Sequence, residues 1–272
     1  MLAMHIAHCI SRGSHLLGFN TTPSNVLRLQ VELPQYKDRE RNEKYCIASK
    51  SIYIAKHRKY VPVTELDLAN LDATATTYAY PPTVINRTEQ FIHIDESSGW
   101  ESLKQDIENC VTYLPAAPLV VILDPLYKMF NRDLNNEVDV KPLLDKMDIL
   151  MDSVSSISGI SFIIIHHTRK ALTTDKGLPV NLGSQDATGS RALVRWCDTN
   201  LRIDPVPNDN TLTRMKLTFT KYRNAEDTLP TITLKWNRTT LHPQIISRTI
   251  PVDDNDEEEI ELRGDSLMEE LE

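Results

Sequence analysis

Two short runs of apolar residues constrain the fold of this chain more than any other feature of its sequence. Residues 119–123 are wholly apolar, and residues 160–165 contain one polar residue, Ser161. Such runs are typical of strands that are buried on both faces of a parallel sheet. Helical periodicity precedes each run, in residues 100–111 and again in residues 138–154. This alternation predicts an α/β domain with a mostly parallel sheet flanked by helices.

Polar side chains follow the predicted strands directly. Glu32 follows a strand at residues 26–31, Asp124 follows the first apolar run, and His166 and His167 follow the second. Ligands of open parallel sheets bind beyond the carboxyl ends of the strands, so we expect these side chains to lie together. Two carboxylates and an imidazole suit a site for a metal-bound nucleotide.

Asp124 alone supports two interpretations. An aspartate at the tip of a hydrophobic strand suits the Walker B role, in which a carboxylate orients the water shell of Mg²⁺ on a nucleotide. Many buried strands also end in an aspartate that only caps the next turn or joins a structural ion pair. The choice between these roles depends on the rest of the sequence.

Three segments carry a family resemblance: residues 27–32 followed by Arg39 and Arg41, residues 124–130 (DPLYKMF), and residues 163–170 (IIIHHTRK). Their order and spacing resemble the RepA-like branch of the RecA-type P-loop ATPases over roughly the first 240 residues. Members of that family resemble hexameric replicative helicases and use ATP to move on single-stranded DNA. The resemblance implies a RecA-like fold, ATP and Mg²⁺ as cofactors, single-stranded DNA as partner, and a homo-oligomeric ring, hexameric in the complete protein.

The resemblance also implies roles for the residues at the strand ends. Asp124 corresponds to the Walker B aspartate that holds Mg²⁺ through water, and Glu32 to the general base that polarises the attacking water. His167 or His166 corresponds to the sensor of the γ-phosphate. The alternative for Glu32 is a surface carboxylate in a strand-to-helix turn. The alternative for the two histidines is a turn in which one imidazole has its hydrogen bonds satisfied. A zinc site is disfavoured, because no further Cys or His stands at ligand spacing.

The loop that follows the histidines corresponds to the family's DNA-contacting loop. It spans residues 169–189, and its cations Arg169, Lys170 and Lys176 suit phosphate contacts. A solvated loop with mixed charge remains the alternative.

A Lys-x-Arg element, Lys221 and Arg223, resembles the pair that replicative helicases direct into the nucleotide of the neighbouring subunit. An arginine finger of this kind stabilises the charge of the transition state. A hairpin with two exposed cations is the plainer interpretation. Arg191 and Arg195 are rival candidates for the finger.

The printed sequence contains no G-x-x-x-x-G-K-[ST] motif, since none of its eight glycines is followed by lysine. Residues 1–7 resemble the helix that directly follows the P-loop in the family, so both that loop and the strand before it are expected to be missing. Backbone N–H groups of that loop cradle the phosphates and its lysine neutralises them. The sequence therefore predicts weak or no nucleotide binding by residues 1–272 alone. A truncated reading frame, an upstream start and a degenerate regulatory relative all stay open.

Charge and cysteine content define the expected organisation and setting. Residues 253–272 hold eleven acidic residues and one basic residue, a net charge of −10, so the other 252 residues carry about +2. Acidic blocks of this kind are usually disordered. We expect a core over residues 1–250, with an insertion or lid at residues 49–86 and antiparallel strands at its C-terminal end, and a disordered tail over residues 251–272. Four scattered cysteines and no signal or membrane segment favour a cytoplasmic protein.

Two hypotheses for function follow. The first is an ATPase core of helicase or translocase type that acts on single-stranded DNA in replication or repair. The second is a non-catalytic nucleic-acid-binding or regulatory protein that kept the fold. The joint presence of Glu32, Asp124, His167 and Arg223 favours recent truncation of such an ATPase over long decay of its site.

Overall fold

The fold is described from a computed structural model. It describes residues 1–48, 51–54, 59–62, 84–88, 92–114, 117–155, 159–166, 191–206, 213–223, 225, 228–251 and 257–261. The chain separates into two compact units, Met1–Arg169 with Thr188–Ala192, and Lys170–Ala187 with Leu193–Glu272. The expected core of residues 1–250 stays a prediction.

The first unit is built on a six-stranded sheet with the strand order β2-β3-β4-β1-β5-β6. Strands β4, β1, β5 and β6 are parallel, whereas β2 and β3 form an antiparallel hairpin that pairs with β4. The strands are β1 Asn25–Gln30, β2 Ser51–Ile54, β3 Lys59–Pro62, β4 Val84–Arg87, β5 Leu119–Asp124 and β6 Ile160–Ile164. The predicted α/β fold with a parallel sheet is confirmed.

Three helices of the first unit pack against its parallel strands. The helices are α1 Leu2–Arg12, α2 Gln35–Ala48, α3 Ser97–Tyr113, α4 Glu137–Ser155 and the short α5 Arg191–Trp196, with a 3₁₀ turn at Leu126–Lys128. Those that pack against the parallel strands are α1, α3 and α4. In α3 the buried side chains are Trp100, Leu103, Ile107 and Cys110, which lie on one face. Each fully buried Leu or Ile of this kind contributes roughly 1.5–3 kcal/mol.

Helix α1 packs its small residues directly on the sheet. Ala3 and Ala7 form a buried cluster with Val26, Val120 and Ile122. Short side chains let the helix approach the strands closely, and the helix ends at Gly13, whose φ of 65° is the left-handed conformation of a helix C-cap.

Gly13→Ala is expected to destabilise the first unit by about 1–3 kcal/mol, because a side chain strains the left-handed backbone. An added Cβ also lies 2.5 Å from Cγ of Pro23. Gly159→Ala is the matched control, since Gly159 has a φ of 73° and an added Cβ meets no atom within 4 Å in the described part of the chain. Urea unfolding should show the larger loss for Gly13→Ala. Equal losses would mean that the contact with Pro23 has no effect.

One strand of the sheet is not where its sequence pattern places it. Residues 91–94 carry a strand pattern, but residues 92–94 are not in a strand, and Phe91 lies outside the described residues. The strand is β4, which begins inside the segment predicted as an insertion or lid, residues 49–86, and ends one residue beyond it. Its polar residues find partners far along the chain: Asn86 accepts a hydrogen bond from Arg28, and Arg87 pairs with Asp106. A local pattern does not reveal such partners, and for this reason the sequence did not indicate β4.

The second unit is a five-stranded antiparallel sheet with the order β11-β10-β9-β8-β7. Its strands are β7 Thr199–Pro205, β8 Arg214–Tyr222, β9 Thr231–Trp236, β10 Pro243–Pro251 and β11 Glu257–Glu261. Ile232, Leu234 and Trp236 alternate along β9 as buried residues, with Leu217 of β8 beside them. The expected C-terminal antiparallel strands are confirmed.

Strand β11 corrects the expectation that residues 251–272 are disordered throughout. Glu257–Glu261 pairs in antiparallel register with the end of β10, from Ser247 to Pro251. Strand β10 pairs with β9 along one edge, as far as Thr249, and its opposite edge bonds β11. Backbone pairing does not depend on side-chain hydrophobicity, and for this reason the acidic composition did not indicate it.

None of the helices in the part of the chain that the structure describes has the length and apolar content needed to cross a bilayer.

Candidate functional site

Three neighbouring parallel strands deliver the candidate residues to one edge of the sheet. Gln30 is in register with Asp124, so Glu32 lies two residues beyond the aligned pair. The Val31 N–H donates to the Asp124 carbonyl at 3.1 Å, which ties the ends of β1 and β5 together. On the other side of β5, the Ile165 N–H donates to the Leu123 carbonyl at 2.9 Å. Glu32, Asp124 and His166 therefore emerge side by side, as expected from the sequence.

Asp124 is partly buried and is held by a hydrogen bond to one of its carboxylate oxygens. It is 18% exposed, and its Oδ2 accepts a hydrogen bond of 3.3 Å from Nη2 of Arg28. Among the described residues its Oδ1 has no hydrogen-bond partner. The peptide bond to Pro125 is cis. One carboxylate oxygen is thus held by the protein, and the other is available for a ligand.

Arg28 is a functional candidate that the sequence analysis missed. Its side chain is 4% exposed, and its guanidinium contacts Asp38 at 3.0 and 3.3 Å as well as Asp124. Nη1 also donates to Oδ1 of Asn86 at 3.0 Å. A charged residue inside the strand N-V-L-R-L-Q was the available signal, because buried arginines require partners.

The buried carboxylate of Asp38 has a second polar partner. Asn42 Nδ2 donates to Asp38 Oδ2 at 3.0 Å and to the Asp38 carbonyl at 2.8 Å, one turn earlier in α2. Together with Arg28 this makes a buried network whose charges compensate each other. Removal of a single partner from such a network costs about 3–5 kcal/mol, since it leaves an uncompensated charge.

Glu32 lies in the short connector between β1 and α2, and its side chain is exposed. The amide of Gln30, with its oxygen and nitrogen assigned by their partners, accepts from the Glu32 N–H at 3.1 Å and donates to the Leu33 carbonyl at 3.1 Å. A side chain that is buried inside β1 therefore fixes the backbone of the connector. The exposed carboxylate is accessible to water, as a general base must be.

The histidines and the loop after them are described only in part. His166 is half-buried at the end of β6. His167, Arg169, Lys170 and Lys176 lie outside the described residues. The proposed phosphate-sensing and DNA-contacting roles of these residues stay predictions.

Lys221 and Arg223 lie in the second unit, where both bind the C-terminal end of α5. The Lys221 ammonium donates to the carbonyls of Val194 at 2.7 Å, of Arg195 at 3.0 Å, and of Cys197. Cations stabilise helix C-termini because the last carbonyls lack partners within the helix. Burial raises the pKa of the neighbouring Cys197 thiol, and the charge of Lys221 opposes that rise. In this structure Lys221 is a helix cap.

Arg223 is held less firmly. Nη2 donates to the Arg195 carbonyl at 2.7 Å, and Nη1 pairs with Oδ1 of Asp198 at 3.1 Å, with the Arg223 side chain 52% exposed. Exposed ion pairs contribute about 0–1 kcal/mol, so this arginine can be released at little cost. The rival candidate Arg191 is exposed at the start of α5.

Lys221→Met is expected to lower the free energy of unfolding by about 1–2 kcal/mol, because three carbonyls at a helix end lose their cation. Lys216→Met is the matched control, since Lys216 is exposed on the same strand. Thermal unfolding should show a loss for the first variant and almost none for the second. Similar melting temperatures would exclude an important capping role.

The donor set fits a magnesium ion that is held mainly through water. No group of three or more His, Cys, Asp and Glu in the described part of the chain is arranged to hold a metal. Mg²⁺ commonly takes one or two carboxylates and completes its shell with water and substrate phosphates. The available oxygen of Asp124 fits this requirement.

Comparisons with known proteins agree with this fold. A family model described as an AAA domain matches residues 1–172. A solved structure described as an ATPase domain is 10% identical, with a TM-score of 0.50, over 81% of this chain and 74% of that one. That likeness shows the fold alone, which is RecA-like.

A second solved structure, of a DnaB-like replicative helicase and its interactions with primase, is also 10% identical. The match covers 80% of this chain and 50% of that one, with a TM-score of 0.46. The chain thus spans half the length of that helicase. No curated protein matches the sequence.

Proposed function

The chain belongs to the AAA domain family, and from that premise we propose that it contributes an ATP-hydrolysing core of helicase or translocase type, acting on single-stranded DNA in replication or repair. The observation that carries this proposal is the placement of Glu32 and Asp124. Two carboxylates stand at the ends of adjacent parallel strands, one exposed to water and one partly buried with a single available oxygen.

The two carboxylates have different environments that suit different tasks. Asp124 is held by Arg28 at Oδ2, so it can orient the water shell of a magnesium ion through Oδ1. Glu32 is exposed on a backbone that Gln30 holds in place, so it can accept the proton of a water molecule. ATP with Mg²⁺, when bound, supplies the phosphoryl group that is transferred to water. His166 follows the neighbouring strand and, with His167, is the proposed sensor of the γ-phosphate.

DNA and neighbouring subunits complete the proposal. Arg169, Lys170 and Lys176 are the proposed contacts to the phosphates of single-stranded DNA. Arg223, with Lys221 beside it, is the proposed contribution to the nucleotide of the next subunit in a ring. The weak ion pair of Arg223 with Asp198 supports its part in this role, whereas Lys221 would have to leave three carbonyls.

Two polypeptides test the proposal. One is residues 1–272, and the other is the same chain preceded by a strand and a G-x-x-x-x-G-K-T loop, because the printed sequence contains no such motif. We expect ATP hydrolysis by the second polypeptide, stimulated by single-stranded DNA, and only background hydrolysis by the first. The readouts are phosphate release and DNA binding by fluorescence anisotropy.

The outcomes separate the candidate functions. Magnesium-dependent turnover by residues 1–272 alone would imply a different phosphate cradle in this chain. A folded second polypeptide that binds DNA but never hydrolyses ATP would contradict the proposal and support a non-catalytic nucleic-acid-binding or regulatory protein.

A further inference from the structure

The buried Arg28 side chain contacts both Asp124 and helix α2. Its guanidinium reaches Asp124 at the end of β5 and Asp38 in the first turn of α2. A third contact, to Asn86, comes from β4 on the opposite side of β1. One side chain therefore links three elements around the carboxyl end of β1.

The same network surrounds the connector that carries Glu32. Before the connector, the Gln30 side chain bonds the backbone at Glu32 and Leu33. After it, the Asp38 N–H donates to the Pro34 carbonyl at 3.1 Å, and the Asp38 carboxylate is held by Arg28. Both ends of the connector are thus fastened by buried side chains, although Glu32 itself is exposed.

We propose that Arg28 is a positioning residue, which sets the placement of Glu32 relative to Asp124 by holding Asp124 and Asp38 on one guanidinium. The inference rests on the proposed function only in taking Glu32 as the general base and Asp124 as the residue that holds magnesium. Arg28 touches neither substrate nor metal in this role. It acts through the two aspartates that it binds.

The chemistry of the guanidinium explains why an arginine stands here. Its planar fork presents several N–H groups in fixed directions, so it can bind two carboxylates at once. A lysine ammonium is a point charge that would satisfy the charge of one aspartate without fixing their mutual geometry. The cation also offsets the repulsion between Asp38 and Asp124, which a neutral side chain cannot do.

Hydrogen exchange of residues 1–272 tests the positioning role without any nucleotide. Arg28→Lys and Arg28→Met should speed exchange at the amides of Val31 and Leu33 by about tenfold or more, because local opening of the connector then costs less. Arg87→Met is the matched control, since Arg87 joins β4 to α3 through Asp106 without contact to Asp124. That variant should leave exchange at Val31 and Leu33 nearly unchanged.

The Arg28→Lys variant distinguishes a positioning role of Arg28 from a role in overall stability. We expect the melting temperature of Arg28→Lys to be closer to that of the wild type than the melting temperature of Arg28→Met is. Exchange in the connector of Arg28→Lys should nevertheless be faster than in the wild type. Equal acceleration at every amide of the first unit, or no acceleration at Val31 and Leu33, would overturn the proposal.

Kinetics of the polypeptide that carries the phosphate loop give a second readout. Arg28→Lys should lower kcat by about tenfold or more while KM for ATP changes little, as expected for misplacement of a base rather than loss of binding. A kcat equal to that of Arg87→Met would count against positioning. If the parent polypeptide does not hydrolyse ATP, the proposed function fails, whereas the exchange experiment still decides the role of Arg28.

Discussion

Glu32→Gln should lower ATP hydrolysis by about 10²–10⁴-fold in the polypeptide that carries the phosphate loop, while ATP still binds and a ring still assembles. Glutamine keeps the size and hydrogen bonding of the side chain but cannot accept a proton from water. Gln30 bonds the backbone of residues 32 and 33, so the substitution leaves the connector in place. Single-turnover phosphate release and equilibrium nucleotide binding measure the two effects separately.

Asp124→Asn should impair nucleotide binding as well as hydrolysis, unlike Glu32→Gln. The variant removes charge from the proposed magnesium site, so Mg²⁺-dependent nucleotide affinity should weaken together with hydrolysis. Asp145→Asn is the control, since Asp145 forms an exposed pair with Lys141 on α4. If Glu32→Gln and Asp124→Asn showed the same loss of nucleotide affinity, the division of roles between the two carboxylates would be wrong.

The sequence predicted the part of the fold that depends on local pattern. Strands β1 and β5 and helix α3 follow from apolar runs and helical spacing, because burial on a sheet or on one helix face imposes these periods directly. The shared edge of Glu32, Asp124 and His166 followed from the same patterns, since parallel strands present their carboxyl ends together.

The features that the sequence did not predict depend on partners far along the chain. Arg28 sits in a strand pattern as an unexplained charge, and only the fold shows that Asp38 and Asp124 compensate it. Strand β11 pairs through its backbone, so its glutamates gave no signal. The end of α5 likewise shows what Lys221 binds, since a Lys-x-Arg pattern alone does not distinguish a helix cap from an arginine finger.

The contacts of Arg223 determine how much free energy its release for a role across a subunit boundary would cost. Its ion pair with Asp198 is exposed on both sides, so release costs little beside the gain from a phosphate partner. Lys221 is bound by three carbonyls and is the weaker candidate for such movement. A finger role is therefore best tested on Arg223, with Lys221 left intact to cap α5.

Arg223→Ala should reduce hydrolysis by about 10³-fold or more, because a trans arginine offsets charge in the transition state. Mixed with Glu32→Gln protein, which is also inactive, it should regain activity. A ring contact pairs the site of one subunit with the finger of the next, so at equal mixing about a quarter of the junctions hold both an intact Glu32 and an intact Arg223. Activity should rise with mixing and peak near equal amounts, with mixed rings verified by native mass spectrometry.

Arg238→Ala mixed with Glu32→Gln is the control for dilution, since Arg238 lies in the turn after β9. Mixed rings without recovered activity would exclude Arg223 as the finger, and Arg191, exposed at the start of α5, would then be tested in the same way.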